Sequence, residues 1–158
     1  MTMEVLVHDG VASVAAGDAL LTLWQKPARA ARIEHVTAVA AALIARSPGG
    51  IVAGQFLLPS AGPPGLAERA AIQAGIDAVF PRARRLVTTP LGDAAWHGVV
   101  RGVMRVGVTL LGQARVVKVA ATPAEAFELL AGAASPATPD AAALADAYES
   151  LRRALGAA

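Results

Sequence analysis

Apolar positions along this chain change their period several times, and each change marks an element. "MEVLVHDG" (3–10) and "VASVAAGD" (11–18) are short apolar runs about Asp9-Gly10, a dipeptide that favours a tight hairpin turn. "ALLTLWQ" (19–25) follows Gly17-Asp18 and predicts a third strand. The period then lengthens. Ile33, Val36, Val39, Ala40, Leu43 and Ile44 recur at three and four positions, as on one face of a helix, until Ser47-Pro48-Gly49-Gly50 ends it. "IVAGQFLL" (51–58) is an unbroken apolar run of the kind buried inside a parallel sheet.

The second half repeats this alternation. "PSAGPPG" (59–65) stops the buried strand and leads into "GLAERAAIQAGIDAVF" (65–80), a helix with Leu66, Ala70, Ile76 and Phe80 expected inward. "RRLVTTP" (84–90) predicts a strand, and "DAAWHGVVRGVMRVGVTLLGQ" (93–113) a long helix capped by Asp93. "ARVVKVAA" (114–121) predicts the last strand. In "TPAEAFELLAG" (122–132), Thr122, Pro123 and Glu125 form a helix-start signature with a capping box. Strands alternating with helices imply an α/β domain. It should have a mostly parallel sheet of about five to six strands, right-handed crossovers and the hairpin at one edge. Residues 1–133 make this domain, 134–140 a linker and 141–158 a C-terminal helix that either packs back or hangs free.

Composition sharpens the picture at three points. Hydrophobic residues are 55% of the 158 and charged ones 16%, which suits one domain with a full core. Aromatics are only 4%, so Trp24, Phe56, Phe80, Trp96 and Phe127 are the expected packing anchors. Cysteine is absent, which excludes disulfides, thiolate metal sites and cysteine nucleophiles and fits a reducing cytoplasm. The opening segment has no basic start and Glu4 and Asp9 interrupt its apolar run, so it does not read as a signal peptide. Net charge is +2, and positive charge clusters only in "PRARR" (81–85). That cluster reads as a solvated helix end whose Arg82, Arg84 and Arg85 complement the dipole. No stacking aromatics lie beside it, which argues against nucleic-acid binding.

Catalytic and ligand-binding signatures are few. There is no G-x-S-x-G elbow and no glycine-rich phosphate loop. His8, His35 and His97 lack metal-ligand spacing. Ser60, His97 and Asp93 could be assembled into a triad on paper, but nothing in the sequence fixes their geometry. The expectation is a protein without catalysis, metal or cofactor. The long helix is the unusual element. Val99, Val100, Val103, Met104, Val106, Val108, Leu110 and Leu111 spread round it, Gly98, Gly102 and Gly107 interrupt it, and Arg101 and Arg105 form a polar stripe. Those arginines argue against a membrane span. Such a helix needs more than one cover. Either another segment of the chain covers it, or Trp96, His97, Arg101, Val103, Met104 and Arg105 belong to a partner or ligand surface.

Three opening strands, a helix ending at "SPGG", a buried strand breaking into a serine-containing turn, the helix carrying "WHGVVRGVMRVGVTLL" and the closing "ATPAEAFELL" together resemble the STAS-like family. That family comprises anti-sigma-factor antagonists and sulfate-transporter tails, and the resemblance covers roughly residues 3–132. It implies a non-enzymatic regulatory module in a bacterial cytoplasm that binds a protein partner, such as a kinase or sigma-factor regulator, or associates with itself. It also makes Ser60 the phosphorylation candidate, since a phosphate at a helix start meets free N–H groups. Against this, the family's acidic neighbour is missing and "PSAGPPG" is rich in proline and glycine, so Ser60 reads first as turn chemistry. The alternative is a SEC14-like binder of a small apolar or lipid ligand, with a cavity lined by Trp24, Phe56, Trp96 and Met104.

Overall fold

The computed structural model describes residues 3–111, 115–133 and 135–157, with side chains of the long helix described as far as Arg105. Six strands form one sheet in sequence order: β1 (Val5–His8), β2 (Val11–Ala16), β3 (Ala19–Trp24), β4 (Ile51–Leu57), β5 (Ala83–Pro90) and β6 (Val117–Val119). The first two pairings are antiparallel and the remaining three parallel. This is the expected α/β fold, with the hairpin at one edge. Asp9 and Gly10 both adopt positive φ at the hairpin turn, as the Asp-Gly signal requires.

Three crossover helices link the parallel strands: α1 (Ala30–Ala45), α2 (Arg69–Val79) and α3 (Ala94–Leu111). Because the sheet grows in one direction, right-handed crossovers put all three on the same face. The other face is covered from the end of the chain, by α4 (Pro123–Ala131) and α5 (Ala141–Leu155). Thr122 Oγ1 caps α4 by accepting the Glu125 N–H at 3.2 Å. The Glu125 carboxylate returns a bond to the N–H of Ala121, one residue ahead of the cap, at 2.7 Å. Asp140 caps α5 in the same manner.

Strand alternation divides the side chains between the two faces. Val52 and Phe56 of β4, with Leu21 and Leu23 of β3, face α4 and α5. There Phe56, Phe127 and Tyr148 form a cluster, with the Phe56 and Tyr148 ring centres 4.5 Å apart. Gly54 allows the close approach of α4: a Cβ there would stand 3.1 Å from Leu130 and Leu21. Leu144, Ala147, Tyr148 and Leu151 are buried along α5, so the C-terminal helix is part of the core.

A polar tie holds the connection to α5. Asp18 is buried and accepts hydrogen bonds from Ser135 (2.6 Å), Thr138 (2.8 Å) and Arg84 (2.8 Å). Arg84 also donates to the carbonyls of Ala133, Gly49 and Gly50. Arg82 reaches the Pro48 carbonyl at 2.9 Å. Arg82 and Arg84 therefore clamp loops through their carbonyls, instead of complementing a helix dipole as their clustering implied. Gly17 presses on the same connection, where a Cβ would stand 2.0 Å from the Ala137 carbonyl oxygen. Burial pushes the Asp18 carboxyl up, but the bonds from Ser135, Thr138 and Arg84 outweigh it and hold it below its ordinary 3.8.

Phe56→Ala should cost about 3–5 kcal/mol in denaturant unfolding, because the ring is fully enclosed. A loss under about 1 kcal/mol would remove Phe56 from its place as core anchor. Asp18→Asn should cost about 3 kcal/mol at neutral pH, the low end for breaking a buried pair, since Arg84 keeps its other acceptors. A depressed carboxyl stabilises the fold above its ordinary value and loses that contribution as pH falls through the depressed one. The wild type should therefore shed this stability below about pH 3.8, and Asp18→Asn should lack that segment of the acid dependence. Identical acid limbs for the two proteins in urea titrations would contradict the tie.

Candidate functional site

The face under α1, α2 and α3 is filled differently. Where α1 crosses it, Ile33, Val36, Ala40 and Leu43 pack on the sheet. Beyond α1 the filling fails. The sheet presents Ala53, Gln55, Thr88 and Val117 there, and α3 presents Val99, Val100, Val103 and Met104. These side chains are too small to meet across the layer. A cavity of about 450 Å³ remains between sheet, α2 and α3. Ile72, Ile76 and Val79 of α2, with Phe80 just after it, form another wall, and α2 has no fully buried residue. Among the described residues, α2 rests on α1, and α3 on β5 and β6. No comparable packing joins α2 to α3, so the cavity opens between them.

Two tryptophans fix its ends. Trp24, at the end of β3, donates its indole N–H to the Gln55 Oε1. Trp96, in the first turn of α3, donates its indole N–H to the Leu57 carbonyl at 3.3 Å. Asp93 caps α3 through the Trp96 N–H at 2.8 Å. The start of α3 is thus pinned to the end of β4.

Of the expected surface on α3, Trp96, Val103 and Met104 line the cavity. His97 is half-buried beside it, and Arg101 and Arg105 are exposed on the outer side of the helix. Gly98 and Gly102 meet no neighbour within 4 Å, so the glycines admit no close backbone approach there. The side chains of Val106, Gly107, Val108, Leu110 and Leu111 lie outside the described residues. Of the four expected liners, Trp24, Trp96 and Met104 are in place. Phe56 is not, because alternation along β4 turns it to the opposite face.

The loop before α2 also departs from expectation. Pro59–Ala61 and Leu66–Glu68 are single 3₁₀ turns, and the α-helix begins only at Arg69. Leu66 is 86% exposed and Ala70 is exposed too, and the inward residues are Ile72, Gly75, Ile76, Val79 and Phe80. Ser60 therefore lies well ahead of the helix start. Its hydroxyl donates to the Gln25 carbonyl at 2.6 Å and ties the turn to the end of β3. His8 and His35, far apart in sequence, stack with ring centres 4.7 Å apart. Burial, and secondarily the neighbouring His8, lower the His35 pKa from its ordinary value. Among the described residues no three His, Asp or Glu side chains gather as metal ligands, and no helix is long and apolar enough to cross a membrane.

No family model matches this chain, and no curated protein or solved structure matches it either.

Sequence reasoning missed Gln55 and Thr88, the polar residues of the cavity floor. Both sit in strand-like runs, where only the pairing of β4 with β5 makes them neighbours. Ser60→Ala should cost about 0.5–1.5 kcal/mol, the worth of one ordinary hydrogen bond, and leave the cavity intact. Unfolding unchanged by the substitution would show that the bond to Gln25 does not hold the turn.

Proposed function

We propose that this protein is a non-enzymatic binder of a small apolar molecule, held between the sheet and α3. The cavity carries the reading. Ligand sites are typically concave spaces of about 300–1,000 Å³ with apolar walls and a few placed polar groups. This cavity has that size, its walls are Val, Leu, Ile, Trp and Met, and Thr37, Gln55 and Thr88 are its polar groups. Among the described residues its walls offer no carboxylate, histidine, cysteine or lysine that could act as acid, base or strong nucleophile. Sealed and void, it would cost about 11 kcal/mol at ~24 cal/mol per Å³, as much as a whole domain's stability. Such a volume is tolerable as an open cleft or as an occupied one.

The element order is the one on which the STAS-like resemblance rests, and a regulatory role is compatible with ligand binding. Val99 and Val103 line the cavity yet are 47% and 51% exposed, so a protein partner seated at the mouth would contact residues that the ligand also touches. Ser60 contributes less to this reading, since its hydroxyl is engaged and it stands apart from α2.

The test uses N-phenyl-1-naphthylamine, an uncharged probe that fluoresces in apolar surroundings. It should bind saturably at one site per chain. Val100→Phe combined with Met104→Phe, which adds bulk to the α3 wall, should weaken binding at least tenfold while circular dichroism stays unchanged. A wild type that fails to bind the probe, or a filled variant that binds it equally well, would remove the cavity as the site.

A further inference from the structure

The chemistry of the cavity floor narrows what the site takes, an inference that rests on the ligand-binding reading above. Among the described residues, none that lines the cavity is charged. An ionised carboxylate, phosphate or ammonium drawn inside would lose its hydration with no counter-charge to replace it. The charged arginines of α3, Arg101 and Arg105, are absent from the lining.

The polar groups are hydrogen-bond donors placed side by side. Gln55 and Thr88 are register partners on β4 and β5 and share the sheet face that forms the floor. An indole N–H can only donate, so the Trp24 bond identifies the Gln55 oxygen and fixes which end of the amide is which. That bond occupies the oxygen and leaves the NH₂ to serve another acceptor. Among the described residues, neither the Gln55 Nε2 nor the Thr88 Oγ1 has a protein partner, and neither is sealed from its surroundings. The third polar group, Thr37, stands on α1 at another wall. The other described residues that line the space are apolar or glycine.

We propose that the site selects an uncharged molecule with a hydrocarbon body and one carbonyl oxygen, as in a ketone, aldehyde or ester. The oxygen accepts from the Gln55 amide and the Thr88 hydroxyl, and the hydrocarbon lies against α2 and α3. At roughly 30 Å³ per non-hydrogen atom, taken from the volume of liquid water, 450 Å³ holds roughly fifteen such atoms. A free fatty acid of similar length matches the body but not the head, because its ionised carboxylate finds no cation.

Displacement of N-phenyl-1-naphthylamine from the full chain tests this with three competitors of matched length: 2-undecanone, undecane and undecanoate. At about pH 8 the last is ionised. The ketone should compete about tenfold better than the alkane, the worth of one or two net hydrogen bonds, and at least tenfold better than the carboxylate. Gln55→Met with Thr88→Val should erase the preference for the ketone and leave undecane unchanged. Equal competition by ketone and alkane in the unaltered protein would overturn the proposal and leave ligand binding standing. So would undecanoate matching or beating the ketone. A probe that never binds would overturn the ligand-binding reading itself, and this proposal with it. The competitor series needs only the unaltered protein, so the outcome stands even if the double variant fails to fold.

Discussion

A sheet with helices on both faces must fill two interlayer spaces, and this chain has few large side chains with which to do it. Interiors pack at close to crystalline density, so a shortage of volume on one face must appear as space. Phe56, Phe127 and Tyr148 all go to the face under α4 and α5, together with Leu21, Leu23, Leu130, Leu144 and Leu151. That face is dense. The face under α2 and α3 receives alanine, valine, threonine and glutamine at its centre, with the tryptophans at its margins. The cavity is the consequence of that allocation.

Alternation makes the division strict. Successive residues of a strand point to opposite faces, so β4 cannot give Phe56 to the core without giving Gln55 and Leu57 to the cavity. Shifting its register by one residue would exchange the faces, bury Gln55 among the aromatic rings and leave Phe56 on the cavity floor. Gly54 adds a second constraint. A Cβ there would press on the Leu130 and Leu21 side chains at 3.1 Å, so any larger residue would force α4 or its leucines to give way. The same strand therefore sets how tightly one face closes and what chemistry the other presents.

The aromatic face depends on the chain end, and the chain end depends on Asp18 and Arg84. Without their bonds to Ser135, Thr138 and the Ala133 carbonyl, the connection to α5 would have little besides its own turns to hold it. Loss of α5 would expose Phe56 and Tyr148. The open face is held from its ends instead. Trp96 pins α3 to β4, and Trp24 fixes Gln55. Among the described residues, α3 otherwise packs on the sheet chiefly through β5 and the short β6. The helix that forms one wall of the cavity is thus anchored at its start.

Local chemistry determined most of the elements. Asp9-Gly10 specified the hairpin, the spacing from Ile33 to Ile44 specified α1, and Thr122 and Asp93 marked helix starts, because these signals act within a few residues. Sequence also brought Trp24, Trp96, Val103 and Met104 forward, since scarce aromatics and an all-apolar helix need partners. It erred where tertiary contacts override a local pattern. Leu66 looked inward because a helix was expected from Gly65, but the chain makes a 3₁₀ turn there and α2 starts at Arg69. Arg84 looked like a solvated cation because its acceptors, from Asp18 to Thr138, are distant in sequence. Phe56 looked like a cavity wall because the run around it is apolar on both sides, so periodicity could not assign its face. Which face received the rings, and therefore where the chain left room for a ligand, was decided only when β4 took its register between β3 and β5.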